Sequence, residues 1–297
     1  MKFSLEGLVP ALLTPFTKGG AQVDYDKACA LANRLADQGV AAVFPCGTTG
    51  EGFLMTLEER KKLVAEVVQA VRGRIKVIVH SGCFDTASTI ELTRHAAEVG
   101  AVAAGVVTPG FYTYDDASLA RHYKLVAAAA KGFPIFLYNI PGCAKNALSP
   151  ELILRLANAV ENIVGLKDSA GQIQNLTRVI NDAPKGFTVL NGVDEYTFQA
   201  LLSGANGSVT STANVAPELF LNVMIALKKG EVKKARAAQT KLDNACKIFQ
   251  YGKMVAYYKE GLRLRGFDPG YVRPPQRELT ADEKKTFAKN LQAAGII

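Results

Sequence analysis

Eight short apolar runs, rich in β-branched and aromatic residues, recur along the chain at intervals of about 20 to 34 residues. This spacing limits the fold more than any other feature of the sequence. The runs are "GLVPALLTP" from Gly7, "AAVFPCG" from Ala41, "IKVIVHSG" from Ile75, "AAGVVTPG" from Ala103, "PIFLYNIP" from Pro134, "IVGLKDS" from Ile163, "FTVLNG" from Phe187 and "GSVTST" from Gly207. Each is separated from the next by a stretch long enough for a helix. That is the scale of a βα unit, the connection that parallel strands require. Eight such units predict an α/β fold, a (β/α)8 TIM barrel; an open doubly wound sheet is the structural alternative. At 297 residues the chain is long enough for one such core.

The intervening stretches carry helix signals. "TLEERKKLVAEVVQAV" begins at Thr56 with Glu59 three residues on, the spelling of a capping box, and its Leu63, Val67 and Val71 share a face. "TASTIELTRHAAEVG" stops on Gly100, and "SPELILRLAN" offers Ser149 as a cap with Pro150 in the first turn. Past Val215 the strand signal ceases. From about Pro217 to Ile297 the pattern is helical, which predicts a barrel over residues 1–225 and a C-terminal helical extension over 226–297 packed on the barrel or on a neighbouring chain.

Composition removes several function classes. No apolar run approaches the ~20 residues of a membrane span. The opening "MKFSLEGLVPALLTPF" is broken by Glu6, Gly7 and Pro10, and reads as the first strand and not as a signal peptide. Five cysteines, an odd number without a C-x-x-C pair, argue for a reduced, cytoplasmic setting. The net charge of +8 favours acidic small-molecule substrates. Much of the excess lies in "LKKGEVKKARAAQTK" and "DEKKTFAKN", which read as solvated helix faces without a nucleic-acid motif. His80, His95 and His122 are scattered, with no spacing that would hold a catalytic zinc, so no metal site is expected.

In a TIM barrel the catalytic groups stand at the C-terminal ends of the strands. Those ends offer one lysine, Lys167, and no carboxylate pair or histidine cluster suited to a metal. Two readings of Lys167 follow from its stretch alone. Desolvation can leave a neutral amine that attacks a ketone and yields an iminium, an electron sink. Alternatively the lysine snorkels to solvent and pairs with Asp168 or a nearby loop. Tyr138, ending "FLY", is either a proton shuttle or a rim aromatic. "GTTGE" from Gly47 allows a tight turn whose Thr48 and Thr49 form an anion nest, or a plain glycine turn; Glu51 reads as the anchor of that loop. Amine, phenol and nest together suit a 2-oxo acid: carboxylate in the nest, ketone on Lys167, proton on Tyr138.

With "GTTGE", "YNIP" at Tyr138 and "GLKDS" at Gly165 in this order, the chain resembles the class I pyruvate-dependent aldolases grouped around dihydrodipicolinate synthase and N-acetylneuraminate lyase. The likeness runs from "LVPALLTPF" to "YVRPPQ". It implies a TIM barrel, usually a homotetramer, without metal or organic cofactor. It also implies a catalytic set of Lys167 as imine former, Tyr138 as proton shuttle and Thr48, which with Thr49 holds the pyruvate carboxylate beside Gly47.

Two departures from the synthase pattern choose the branch. The synthase's arginine, two residues after "YN-x-P", is replaced by Cys143, and Lys145 nearby is no bidentate fork. The synthase's tyrosine that crosses to a neighbouring subunit aligns with Phe111, which has no hydroxyl, and Tyr112 is shifted by one residue. "NGVDEYTFQALLSGANGSVTST" resembles instead the lyase pattern that binds a polyol chain. By that resemblance Gly192, Asp194, Glu195 and Ser211 contact the sugar, with Ser169 as a further hydroxyl contact; Asp194 and Glu195 are also what a helix start would show. The reading is therefore an aldolase or lyase that splits a 2-keto-3-deoxy sugar acid into pyruvate and an aldehyde. The alternatives are 4-hydroxy-tetrahydrodipicolinate (dihydrodipicolinate) synthase, a dehydratase acting through the same imine, and a keto-acid-binding barrel without turnover.

Overall fold

The computed structural model describes residues 3–297. All eight apolar runs contain strands: β1 (Gly7–Pro10), β2 (Ala42–Val43), β3 (Lys76–His80), β4 (Ala103–Val107), β5 (Ile135–Asn139), β6 (Ile163–Asp168), β7 (Thr188–Asn191) and β8 (Gly207–Thr210). They form one parallel sheet in the order β1-β8-β7-β6-β5-β4-β3-β2. The two ends of that order also meet. Ala41 N donates to Leu8 O at 2.8 Å, Phe44 N to Pro10 O at 2.9 Å and Leu12 N to Phe44 O at 3.0 Å, so β2 returns to β1 and the sheet closes. The open-sheet alternative is thereby excluded.

Around the barrel run α1 (Tyr25–Asp37), α2 (Leu57–Val71), α3 (Thr86–Glu98), α4 (Asp116–Ala129), the single turn α5 (Pro141–Ala144), α6 (Pro150–Ala159), α7 (Ile173–Asp182), α8 (Thr197–Leu202) and α9 (Pro217–Lys228). The sequence signals are realised as hydrogen bonds. Thr56 accepts from Glu59 N, and the Glu59 carboxylate accepts from Thr56 N. Ser149 Oγ accepts from Leu152 N, and Pro150 begins α6. Each such cap is worth about 1 kcal/mol to its helix.

Strand alternation builds two layers of core. Val9, Phe44, Ile78, Phe136, Leu190 and Val209 fill the barrel. Leu137 and Leu166 point the other way, into the layer beneath the helices, so their neighbours Tyr138 and Lys167 face inward. After α9 come α10 (Val232–Ile248), α11 (Val255–Leu264) and α12 (Ala281–Ala293). Phe249 stacks on Tyr258 and meets Phe287 edge-on, which joins the turn after α10 to α11 and α12. Among the described residues no helix is long and apolar enough to cross a membrane.

Candidate active site

A cavity of about 310 Å³ opens at the C-terminal ends of the strands, and Lys167 and Tyr138 both line it. They meet because the parallel register of β5 and β6 places Tyr138 directly beside Lys167, with both side chains on the inner face. Lys167 is 4 % exposed. Its Nζ lies 4.1 Å from the centroid of the Phe44 ring and 4.0 Å from that of Tyr138. Among the described residues it makes no salt bridge. Asp168, the partner offered by the snorkelling alternative, is engaged elsewhere: its Oδ1 accepts from Asn139 Nδ2 at 3.1 Å and from Ala170 N at 3.0 Å. Burial without a close counter-charge pulls the Lys167 pKa down from 10.5 to about 7, against the opposing pull of the Asp194 carboxylate. The amine is therefore partly neutral at physiological pH.

Tyr138 is 2 % exposed, and burial pushes its phenol up to about 12, with the Thr48 and Ser169 hydroxyls acting in the other direction. A phenol so placed holds its proton at neutral pH and releases it only to a strong local demand. Ser169 Oγ also donates to Gly192 O at 3.2 Å. The close approach explains the glycine: a Cβ on residue 192 would fall 2.0 Å from Ser169 Oγ.

The "GTTGE" turn follows β2. Thr48 and Thr49 line the cavity, and among the described residues nothing accepts a hydrogen bond from their backbone N–H groups. Two free donors and two hydroxyls at one turn suit a carboxylate. Thr49 Oγ1 lies 2.6 Å from Ser211 Oγ, which ties the turn to the end of β8. Glu51 anchors the loop from below, as its sequence reading expects. It is 3 % exposed, its Oε1 accepts from Lys259 Nζ at 2.7 Å and its Oε2 from Arg273 N at 2.9 Å.

Of the residues singled out from the sequence, Thr48, Thr49, Tyr138, Cys143, Lys167, Ser169, Gly192, Asp194, Glu195 and Ser211 all line this one cavity. Two do not. Gly47 sits beneath it, buried against Phe44, where a Cβ would lie 3.0 Å from a ring carbon; its part is to let the turn pass. Phe111 lies outside: it is 76 % exposed, in a left-handed conformation with φ +70°, and its ring meets Tyr112 edge-on at 5.1 Å. Asp194 and Glu195 combine a helix-start position with a place on the cavity wall. They open a 3-10 turn ahead of α8, and they face the cavity. Burial raises Asp194 to about 6, and its Oδ2 accepts from Thr212 N at 3.4 Å.

The sequence reading missed the groups that the helical extension supplies, Cys246, Tyr251, Gly252 and Tyr258. Their signal was weak. "FQYGKM" is a break between two helix patterns, and nothing in its composition points toward the mouth of the barrel. Among the described residues no group of three or more His, Cys, Asp or Glu side chains is placed to hold a metal ion.

Comparison with known proteins extends this picture. The model of the dihydrodipicolinate synthetase family matches residues 4–294. A 4-hydroxy-tetrahydrodipicolinate synthase of Methanopyrus kandleri is 34 % identical over 297 residues, covering 100 % of this chain and 99 % of the relative. A DapA-like lyase of Halobacterium salinarum is 36 % identical over 293 residues, covering 99 % of this chain and 95 % of the relative. Among solved structures, YagE of E. coli K12, a prophage protein of the dihydrodipicolinic acid synthase family in complex with pyruvate, superposes with a TM-score of 0.94. Its identity is 31 %, and the match covers 98 % of this chain and 99 % of YagE.

Proposed function

The chain belongs to the dihydrodipicolinate synthetase family, whose members are aldolase-type carbon–carbon lyases acting through a Schiff base, and from that premise we propose that it cleaves, or forms, a 2-keto-3-deoxy sugar acid, with pyruvate and a hydroxylated aldehyde as the two halves. One observation carries the choice of substrate. Lys167 is the one cation among the described residues of the cavity wall, whereas Asp194 and Glu195 place two carboxylates there. An aldehyde with its own carboxylate would bring a further anion to a wall that has no guanidinium fork to receive it. A hydroxylated chain is served by the same wall, because carboxylates accept several hydrogen bonds from hydroxyls.

The chemistry follows from the geometry. Neutral Lys167 Nζ adds to C2 of the keto acid while the Thr48 and Thr49 turn holds the carboxylate. Tyr138 gives its proton to the departing C2 hydroxyl, so water leaves and an iminium forms beside a phenolate. The phenolate, held next to that positive charge, then takes the proton of the C4 hydroxyl. The C3–C4 bond breaks, its electron pair enters the iminium to give an enamine, and the aldehyde leaves. Tyr138 protonates C3, and water hydrolyses the iminium to pyruvate and the free amine. The reverse sequence condenses the two halves.

The name of the Methanopyrus relative favours a second reading, 4-hydroxy-tetrahydrodipicolinate synthase. In that case pyruvate and aspartate semialdehyde condense through the same imine, and a cation from outside the cavity wall, such as Lys145, receives the second carboxylate. Pyruvate with borohydride, followed by mass spectrometry, tests the shared step: a reduced adduct is expected on Lys167. Assays of keto-deoxy sugar acids beside aspartate semialdehyde then separate the readings. A cyclised product from the semialdehyde, with no pyruvate released from any sugar acid, would sink the proposal in favour of the synthase. Release of water without an aldehyde would point to a dehydratase.

A further inference from the structure

Part of the cavity wall is built by the extension, and its polar groups are incomplete. Tyr258, in α11, lines the cavity and is only 3 % exposed; its ring stacks on Phe249 with centroids 5.1 Å apart and planes 16° from parallel. The ring is therefore fixed on the wall that also carries Ser211 and Thr212. Room for the phenol is made by Gly252. That residue has φ +75°, and a Cβ on it would stand 3.2 Å from the phenol oxygen.

On the same wall, Thr212 is fully buried, yet its Oγ1 has no hydrogen-bond partner. A buried hydroxyl left unpaired costs about 1–3 kcal/mol, and native structures keep such groups where something else completes them. Asp194, whose Oδ2 accepts from Thr212 N, presents further acceptor capacity to the same space. Donor, acceptor and unpaired hydroxyl thus line the same cavity as the imine-forming lysine. Lys167, which the imine uses, is the one cation among the described residues of this wall, so an anionic terminus is not what these groups complete. The missing partner is a group that donates and accepts at once.

We propose that Tyr258 is a specificity-determining residue that hydrogen-bonds a hydroxyl of the aldehyde half, so that the enzyme selects hydroxyaldehydes over plain alkyl aldehydes of the same length. This rests on the aldolase reading above and adds to it a residue contributed by the helical extension. Selection of this kind is effective because the analogue lacking the hydroxyl leaves buried polar groups unpaired.

The test is Tyr258→Phe, which keeps the ring on Phe249 and removes one oxygen. Condensation with pyruvate is measured for glyceraldehyde and for propanal in both proteins, alongside borohydride trapping of pyruvate on Lys167. The expected result is a roughly tenfold fall in kcat/KM for glyceraldehyde, little change for propanal, and unchanged trapping. Equal losses for the two aldehydes, no loss for either, or a wild type indifferent to the hydroxyls would each overturn the role of Tyr258 while leaving the lysine chemistry standing. Absence of trapping in the wild type would instead bring down the aldolase reading and this inference with it.

Discussion

Among the described residues two lysines are buried, Lys167 at 4 % exposure and Lys259 at 0 %, and they have opposite uses. Both stand over aromatic rings: Lys167 over Phe44 and Tyr138, Lys259 over Phe16 at 4.8 Å. The difference lies in the acceptors. Lys259 Nζ donates to Glu51 Oε1 at 2.7 Å, Thr14 O at 2.8 Å and Tyr271 O at 2.6 Å, which uses all three of its N–H bonds. Burial lowers its pKa, but Glu51 opposes the shift. Lys167 has no such set and faces a cavity. Burial alone therefore does not make a nucleophile. A buried ammonium whose protons are all accepted, with a carboxylate beside it, is a structural tie; one deprived of acceptors sheds its proton and becomes reactive.

The sharpest break between the two is chemical. Lys167→Met should abolish imine chemistry and lower turnover by roughly 10⁴-fold or more, with no borohydride adduct. Ordinary turnover by this variant, or an adduct on another lysine, would show that the comparison has assigned the wrong amine. Lys259→Met, by contrast, should keep an adduct on Lys167 wherever the protein remains folded.

On stability the ranking reverses. Removing Lys259 leaves Glu51 charged and enclosed, and breaking one side of a buried pair costs about 3–5 kcal/mol. Denaturant unfolding of Lys259→Met should show a loss of that order, and the double variant with Glu51→Leu should recover a large part of it. A loss below ~1 kcal/mol would mean that the pair behaves like a surface bridge. Lys167→Met should move the other way. Its folded pKa of about 7 lies below the 10.5 of the unfolded chain. Between those values the unfolded chain holds a proton that the native state has shed, so stability rises with pH through that window. At neutral pH and below, the native state carries the desolvation cost, and an apolar isostere should stabilise it by about 2 kcal/mol. No gain would mean that solvent reaches the amine more freely than its burial suggests.

The difference between these lysines also marks what could be read in the sequence. Lys167 was legible because it closes a doubly buried strand run, where a charge is out of place, and Tyr138 because it ends the adjacent run. Strand periodicity fixes which side chains face the barrel interior, and the eight runs fixed the order of the strands. Glu51 was legible as an anchor from its place in "GTTGE", but its partner lies 208 residues away on a helix. Helix periodicity tells which face of α11 is buried and not which loop it meets. Lys259 and Tyr258, one residue apart in that helix, were hidden for the same reason. Phe111, aligned by motif with a tyrosine that crosses to a neighbouring subunit, is exposed in a left-handed conformation with φ +70°, which strand periodicity does not announce. Ser211, assigned to a sugar by resemblance, lines the cavity and also bonds Thr49, a pairing set by barrel closure and not by local pattern.

The smallest effect tests how free of counter-charge Lys167 is. Trapping of pyruvate requires the neutral amine, so its rate should rise about tenfold per pH unit on the acid side and level off near pH 7, where Lys167 loses its proton. Asp194 is the carboxylate that most favours the ammonium form, and it is itself raised to about 6. Asp194→Asn removes that attraction while keeping the shape of the wall. The charged form of Lys167 should then be harder to hold, and the midpoint of the trapping profile should move below that of the wild type, by less than one unit. Phe44 and Tyr138 remain in place in this variant, so any shift reports the distant carboxylate alone. An upward shift would mean that the charge holding the proton on Lys167 has been misidentified. An unchanged midpoint would place Lys167 nearer to complete electrostatic isolation, and its contrast with Lys259 would then be wider than the wild-type geometry implies.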